Sequence, residues 1–125
     1  MPKPRPLLST EDIDHRMRRV KYFIGTMPLN ALQTVTPPYL YLPLKMVVNL
    51  EPDTRSGNHW VAIARNKSGA IMYYDSTGKP PPPEIQHWIT RNSITWNYSE
   101  KVMQKKNDLS SCGYLCISFL NNFDA

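Results

Sequence analysis

Two short apolar runs joined by a four-residue turn constrain this chain more than any other feature: HWVAIAR (59–65) and AIMYYD (70–75), separated by NKSG. β-Branched and aromatic residues on either side of an Asn- and Gly-containing connection read as an antiparallel hairpin. A turn centred on Lys67 pairs Ile63 with Ile71, Val61 with Tyr73 and His59 with Asp75. Strand side chains alternate with period two, so all three pairs project from one face. Directly opposed Cβ atoms stand about 4.5–5.5 Å apart, which lets a carboxylate accept the second N–H of an imidazole. The hairpin therefore predicts a His59–Asp75 pair at one end of an apolar strip. A one-residue slip would turn Val61 and Ile63 away from the core.

The elements around the hairpin are short. Ser9 and Asp12 form a capping-box pattern that opens a helix over 10–22, with Ile13, Met17 and Val20 on one face. Arg16, Arg18, Arg19 and Lys21 load its C-terminal turns, where the helix dipole favours cations. Residues 25–44 are expected to be irregular, broken by Gly25, Pro28, Pro37, Pro38 and Pro43. A strand follows over 45–50 and a turn-rich loop over 51–58. Lys79–Pro83 reads as a polyproline II spacer, and 84–91 as a helix. One or two strands are expected over 94–104, and a buried helix with a serine N-cap over 110–122. The fold class is therefore α+β: a small mixed sheet, its central antiparallel hairpin packed against a C-terminal helix.

Composition bounds the rest. At 125 residues and 41% hydrophobic, the chain suits one domain, 1–125, with 1–8 as an extended arm. No apolar window is long enough for a membrane span, and MPKPRPLLSTED lacks the apolar region of a secretory signal. The chain is accordingly expected to be neither secreted nor membrane-bound. Its two cysteines, Cys112 and Cys116, are too few for a disulfide framework and point to free thiols in a reducing compartment. The net charge of +5 permits attraction to a polyanion such as DNA without locating a site.

Cys112 supplies the second half of a chemical constellation. It follows two serines and precedes Gly113 at the start of the last helix, where the dipole and unpaired N–H groups stabilise a thiolate. Its own backbone N–H is free to bind an oxyanion, and Gly113 permits close approach of another backbone. Gln104, eight residues upstream, offers a side-chain N–H as a second donor. Nucleophile, base, carboxylate and amide donor are the set that thiol acyl transfer needs.

The segments SGNHWVAIARNKSGAIMYYDSTG (56–78) and QKKNDLSSCGYLCISFL (104–120) resemble the adenovirus-type and SUMO-protease-type cysteine peptidases. There an HW pair precedes a hairpin carrying the acid, then a Gln, then a CG that opens a helix. The similarity is greater to the adenain-like maturation proteases of large DNA viruses, virophages and virus-like transposons. Their YxDSxG and CGxxC patterns stand here at Tyr73–Gly78 and Cys112–Cys116. The resemblance implies a minimal papain-like fold with Cys112 as nucleophile, His59 as general base and Asp75 as its orienter. It also implies an oxyanion hole from Gln104 and the Cys112 amide, Trp60 beside the triad, and Gly57, Asn58, Trp60 and Gly113 on the substrate side.

The implied activity is an endopeptidase that cleaves viral capsid or core precursor polypeptides after small residues at Gly-Gly-like sites during virion maturation. It would work in the virion and the host-cell interior as a monomer, without a resident cofactor, and DNA or a viral peptide could activate it. Two alternatives share parts of the pattern: an isopeptidase acting on ubiquitin-like modifiers, and a non-catalytic basic module that binds nucleic acid through Lys105, Lys106 and the first helix.

Bland readings suffice for the remaining candidates. Cys116 lies one turn after Cys112 and reads as a small core residue. His15 and His87 read as surface residues, and two cysteines with three scattered histidines match no zinc spacing. Asp53 is an alternative carboxylate, whereas hairpin geometry favours Asp75. Tyr73, Tyr74, Trp88, Trp96 and Tyr98 read as core and cleft wall.

Overall fold

Period-two alternation along the central strand decides the layering. In the computed structural model, which describes residues 7–50, 59–103 and 111–125, five strands make one sheet. They are β1 (Phe23–Pro28), β2 (Leu44–Asn49), β3 (Trp60–Arg65), β4 (Ala70–Tyr74) and β5 (Thr95–Tyr98). They lie side by side in sequence order, with β2, β3 and β4 antiparallel and both outer pairs parallel.

Val61 and Ile63 of β3 pack on one face with Met46 and Val48 of β2 and Ile71 and Tyr73 of β4. Trp60, Ala62 and Ala64 point the other way, with Val47 and Tyr74. Both faces are covered, so β3 is buried along its whole length. The expected α+β class, with the hairpin at the centre of a mixed sheet, describes this fold.

Parallel pairing at the two edges requires crossovers. The first, from β1 to β2, carries a 3-10 helix at Leu29–Thr34 that buries Leu32. The second, from β4 to β5, carries helix α2 (Pro83–Arg91), which buries Ile85, Trp88 and Ile89 on the same face. The Trp88 indole N–H donates to the Val35 carbonyl at 2.8 Å, tying the two crossovers together. The opposite face is covered by α1 (Thr10–Met17), through Ile13 and Met17, and by α3 (Cys112–Asn122), through Cys112, Cys116 and Leu120. Tyr74 of β4 stacks on Phe119 of α3, ring centroids 4.7 Å apart.

Several boundaries differ from the sequence expectation. The capping box forms as read, with Ser9 N–H on the Asp12 carboxylate (2.9 Å) and Asp12 N–H on the Ser9 hydroxyl (3.1 Å). The helix, however, stops at Met17 rather than 22: Arg18 N–H turns back to the His15 carbonyl, and Tyr22 adopts φ +70°. The irregular stretch expected over 25–44 contains β1 and the 3-10 helix. Gly25 (φ +140°) sits where the β1–β2 register shifts, and Pro28 is tolerated because β1 is an edge strand. Strand 45–50 is displaced by one residue. The expected strands over 94–104 reduce to β5, and the last helix begins at Cys112, with Ser111 as N-cap and no side-chain capping bond. Of the expected arm 1–8, Leu8 is docked: it is 6% exposed and its carbonyl accepts the Trp60 indole N–H at 3.2 Å.

Two buried cations brace the frame. Lys45, beside Val47 on β2, donates to the Leu120 carbonyl at the end of α3, where a cation suits the helix dipole. Burial pulls its pKa below the ordinary lysine value. Arg65, fully buried at the end of β3, donates to three backbone carbonyls: Leu42 (2.8 Å), Asn92 (2.7 Å) and Tyr39 (2.9 Å). It fastens the loop before β2 and the end of α2 to the sheet.

Candidate active site

The hairpin turn is centred one residue further along the chain than the sequence pattern predicts. Asn66 N–H bonds the Ala70 carbonyl and Gly69 N–H bonds the Asn66 carbonyl, with Gly69 at φ +81°. The Asn66 side chain accepts the N–H groups of Ser68 and Ala70. This three-residue loop with a left-handed glycine is centred on Ser68, not Lys67. The register becomes Ile63 opposite Tyr73 and Arg65 opposite Ile71, two residues from the expected pairing. A two-residue shift preserves which face each side chain occupies, so the apolar strip survives. His59 and Asp75 are no longer directly opposed and lie just beyond the ends of β3 and β4.

They meet nonetheless. His59 Nε2–H donates to both Asp75 oxygens at 3.1 Å each. Asp75 is 2% exposed, and its carboxylate opens a turn: Oδ1 also accepts the Thr77 backbone N–H (2.8 Å) and hydroxyl (2.7 Å). Gly78 N–H closes the turn on the Asp75 carbonyl at 2.8 Å, with Gly78 at φ +77°. A Cβ on Gly78 would stand 2.7 Å from the Glu100 carbonyl oxygen, so only glycine fits there. Burial pushes the Asp75 carboxyl upward, but the hydrogen bonds from His59 and Thr77 outweigh it and hold the group below the usual carboxylate range.

His59 is raised to about 9, first by its hydrogen bond to Asp75 and next by a hydrogen bond with the Cys112 side chain, against the opposing effect of burial. Cys112 is the first residue of α3 and is itself buried. Of the residues named from sequence, His59 and Asp75 pair directly, and Cys112 opens α3, the helix that packs across β3. Cys116, one turn on, is fully buried; desolvation pushes its thiol well up, and it donates to the Trp60 carbonyl at 3.3 Å. It is a core residue, as read.

Trp60 and Gly113 lie in the packing beneath Cys112. A Cβ on Gly113 would meet Leu8 Cδ1 at 3.1 Å and Trp60 Cδ1 at 3.2 Å, so this glycine lets the start of α3 settle against the indole and Leu8. Gly57, Asn58 and Gln104, the other residues named from sequence, lie outside the described residues, as do Asp53, Lys105, Lys106 and Asp108. His15 and His87 are exposed. Among the described residues no cluster of His, Cys, Asp or Glu could hold a metal ion, and no helix is long and apolar enough to cross a membrane. Sequence reasoning missed Thr77 and Leu8. An Asp followed two residues later by Thr and closed by Gly is a local turn signal that pointed to the first.

No protein-family model matches the chain, and no curated protein matches it. Solved structures do. Two structures of the ASFV pS273R protease, one with selenomethionine, superpose with TM-scores of 0.63 and 0.64 at 19% and 17% identity, over 97% of this chain. The chain shares its α+β fold with the ASFV pS273R protease. The chain spans 62% of the length of the ASFV protease. It is also similar to the central domain of the uncharacterized Lpg1148 protein from Legionella pneumophila, at TM-score 0.58 and 12% identity, covering 93% of this chain and 74% of that one.

Proposed function

We propose that this chain is a cysteine peptidase in which Cys112, His59 and Asp75 act as nucleophile, base and orienter. The observation that carries the reading is the pair of His59 with a buried carboxylate at one end of the sheet; a cysteine at the start of the helix that packs across β3 and a fold shared with a protease support it. With Nε2 engaged by Asp75, Nδ1 is the nitrogen left for the sulfur. The thiol proton passes to Nδ1, and the thiolate attacks the scissile carbonyl carbon. The oxyanion forms beside the Cys112 backbone N–H at the start of α3, with the Gln104 amide as second donor. The imidazolium then protonates the leaving amine as the C–N bond breaks. Water, deprotonated by the same ring, hydrolyses the thioester and restores the thiol.

The substrates proposed are viral precursor polypeptides cut after Gly-Gly-like sites, with virion maturation in the virion and host-cell interior as the setting. Gly57 and Asn58 form the substrate side of the cleft in this reading, while Trp60 and Gly113, expected there from sequence, support the start of α3 from the core. Arg16, Arg18, Arg19 and Lys21, all exposed on and just after α1, are the surface through which DNA would tether the monomeric enzyme and raise its activity.

The test is turnover of a quenched fluorescent Leu-x-Gly-Gly-x peptide by wild type and Cys112→Ala, with and without DNA. Cleavage that vanishes in the variant supports the peptidase. Activity that rises with DNA and falls with salt supports the tether. Absence of cleavage under every condition, with Cys112 as inert to iodoacetamide as Cys116, overturns the reading.

A further inference from the structure

The His59–Asp75 pair depends on a carboxylate whose rotation is not set by the backbone: the χ2 torsion of Asp is broad and roughly two-fold. Yet His59 Nε2 stands 3.1 Å from both oxygens. What fixes the carboxylate is a second set of donors on Oδ1. The Thr77 hydroxyl and Thr77 N–H both converge on Oδ1, at 2.7 and 2.8 Å. Two short hydrogen bonds to one oxygen leave the group little freedom to rotate.

The turn that presents Thr77 is clamped in turn. Ser76 is fully buried, and its carbonyl accepts Met103 N–H at 2.8 Å. Gly78 closes on the Asp75 carbonyl and lies against the Glu100 backbone. The strap 99–103 is held to the end of β4 by Ser99 N–H on the Tyr73 carbonyl at 3.1 Å. The backbone of the turn is thus fastened at both ends, and carboxylate rotation is the freedom left for a side chain to remove.

We propose that Thr77 is a positioning residue for the peptidase: its hydroxyl, with its backbone N–H, holds the Asp75 carboxylate in the rotation that presents both oxygens to His59 Nε2. This deepens the reading given under Proposed function and rests on it for its catalytic consequence, though not for its geometry. A hydroxyl that merely stabilised the turn would affect folding without altering the state of the imidazole. Thr77 acts through Asp75 and touches no substrate.

The experiment compares wild type with Thr77→Val, which keeps shape and N–H but loses the hydroxyl, and Thr77→Ser, which keeps the hydroxyl. The first readout is the low-field proton NMR resonance of the His59 Nε2–H in the substrate-free protein. It is expected to be strong in wild type and Thr77→Ser, and shifted upfield and broadened by faster exchange in Thr77→Val. The second is peptide turnover: kcat in Thr77→Val is expected to fall about 10-fold with KM within about two-fold, as misalignment of a catalytic group dictates, and Thr77→Ser to recover most of it.

An unchanged resonance in Thr77→Val overturns the proposal, as does a Thr77→Ser variant as impaired as Thr77→Val. If Thr77→Val fails to fold, Thr77→Ala carries the same comparison against Thr77→Ser. Wild type that cleaves no peptide defeats the peptidase reading, and the resonance still decides the role of Thr77. Wild type that cleaves, with a Thr77→Val resonance identical to it, defeats only the role of Thr77.

Discussion

Replacing Asp75 by Asn tests the electrostatics of the site most directly, because it removes one charge while keeping the shape. In the folded protein His59 is raised from 6.5 to about 9, chiefly by Asp75. At about 1.4 kcal/mol per pH unit, that distance corresponds to about 3 kcal/mol of preference for the imidazolium in the native state. His59 is the raised partner, so the stabilisation is fully present below pH 6.5, shrinks between 6.5 and about 9, and is gone above. Asp75, the lowered partner, adds stability that fails only as pH falls through its depressed native value.

Asp75→Asn should bring the His59 midpoint down by about two pH units. The hydrogen bond with Cys112 sustains part of the shift, and burial opposes it. The assays are an NMR titration of the His59 ring, assigned with His59→Gln, and urea unfolding of both proteins from pH 5.5 to 9.5. The gap in stability between wild type and Asp75→Asn should be about 2–3 kcal/mol near pH 6 and close steadily toward pH 9. A wild-type midpoint near 6.5, or a gap that does not change with pH, would refute the reasoning.

The frame offers further checks. Arg65→Met removes three charge-assisted bonds to backbone carbonyls, and is expected to lower stability by about 3–5 kcal/mol and Tm by on the order of 10–15 °C by circular dichroism; a loss under about 1 kcal/mol would mean those carbonyls find water freely. Gly78→Ala must carry a side chain at φ +77° against the Glu100 carbonyl, and should cost about 2–4 kcal/mol in urea unfolding. Brief iodoacetamide treatment of the native protein followed by peptide mass spectrometry should label Cys112 and leave Cys116 untouched, with both labelled in urea; labelling of Cys116 first would contradict its place in the core. Cys116→Ala should cost about 1–2 kcal/mol through the lost packing and the lost bond to the Trp60 carbonyl.

Features written in local pattern were legible without a structure. The capping box at Ser9 and Asp12, the apolar run of β2 and the existence of the helix over 84–91 each follow from pattern over a few residues. So does the conclusion that His59 and Asp75 belong to one end of one hairpin, because a strand alternates whatever its length. The exact register was not legible: the Asn66 side chain and the left-handed Gly69 centre the turn one residue further along, and only their hydrogen bonds show it. Parity rescued the inference, since a shift of two residues leaves every side chain on its face.

β1 was invisible for a different reason. Its Gly25 and Pro28 argue against a strand, and only parallel pairing with β2, across a crossover, makes Phe23–Pro28 one. The helix expected to reach residue 22 ended at Met17 because the chain had to turn there to enter that edge. The placement of Cys112 likewise depends on α3 lying across β3, with Gly113 closing on Trp60 and Leu8.

Residue order alone thus settles the existence of the central hairpin, the capping box at Ser9, and the placement of His59 and Asp75 at one end of that hairpin. Those follow from backbone periodicity and short-range hydrogen bonding, which act within a few residues of chain. Tertiary structure alone decides the edge strands and the nitrogen of His59 that faces Asp75. Each of these rests on contacts fixed to within a few tenths of an ångström, which exist only once distant segments have packed together.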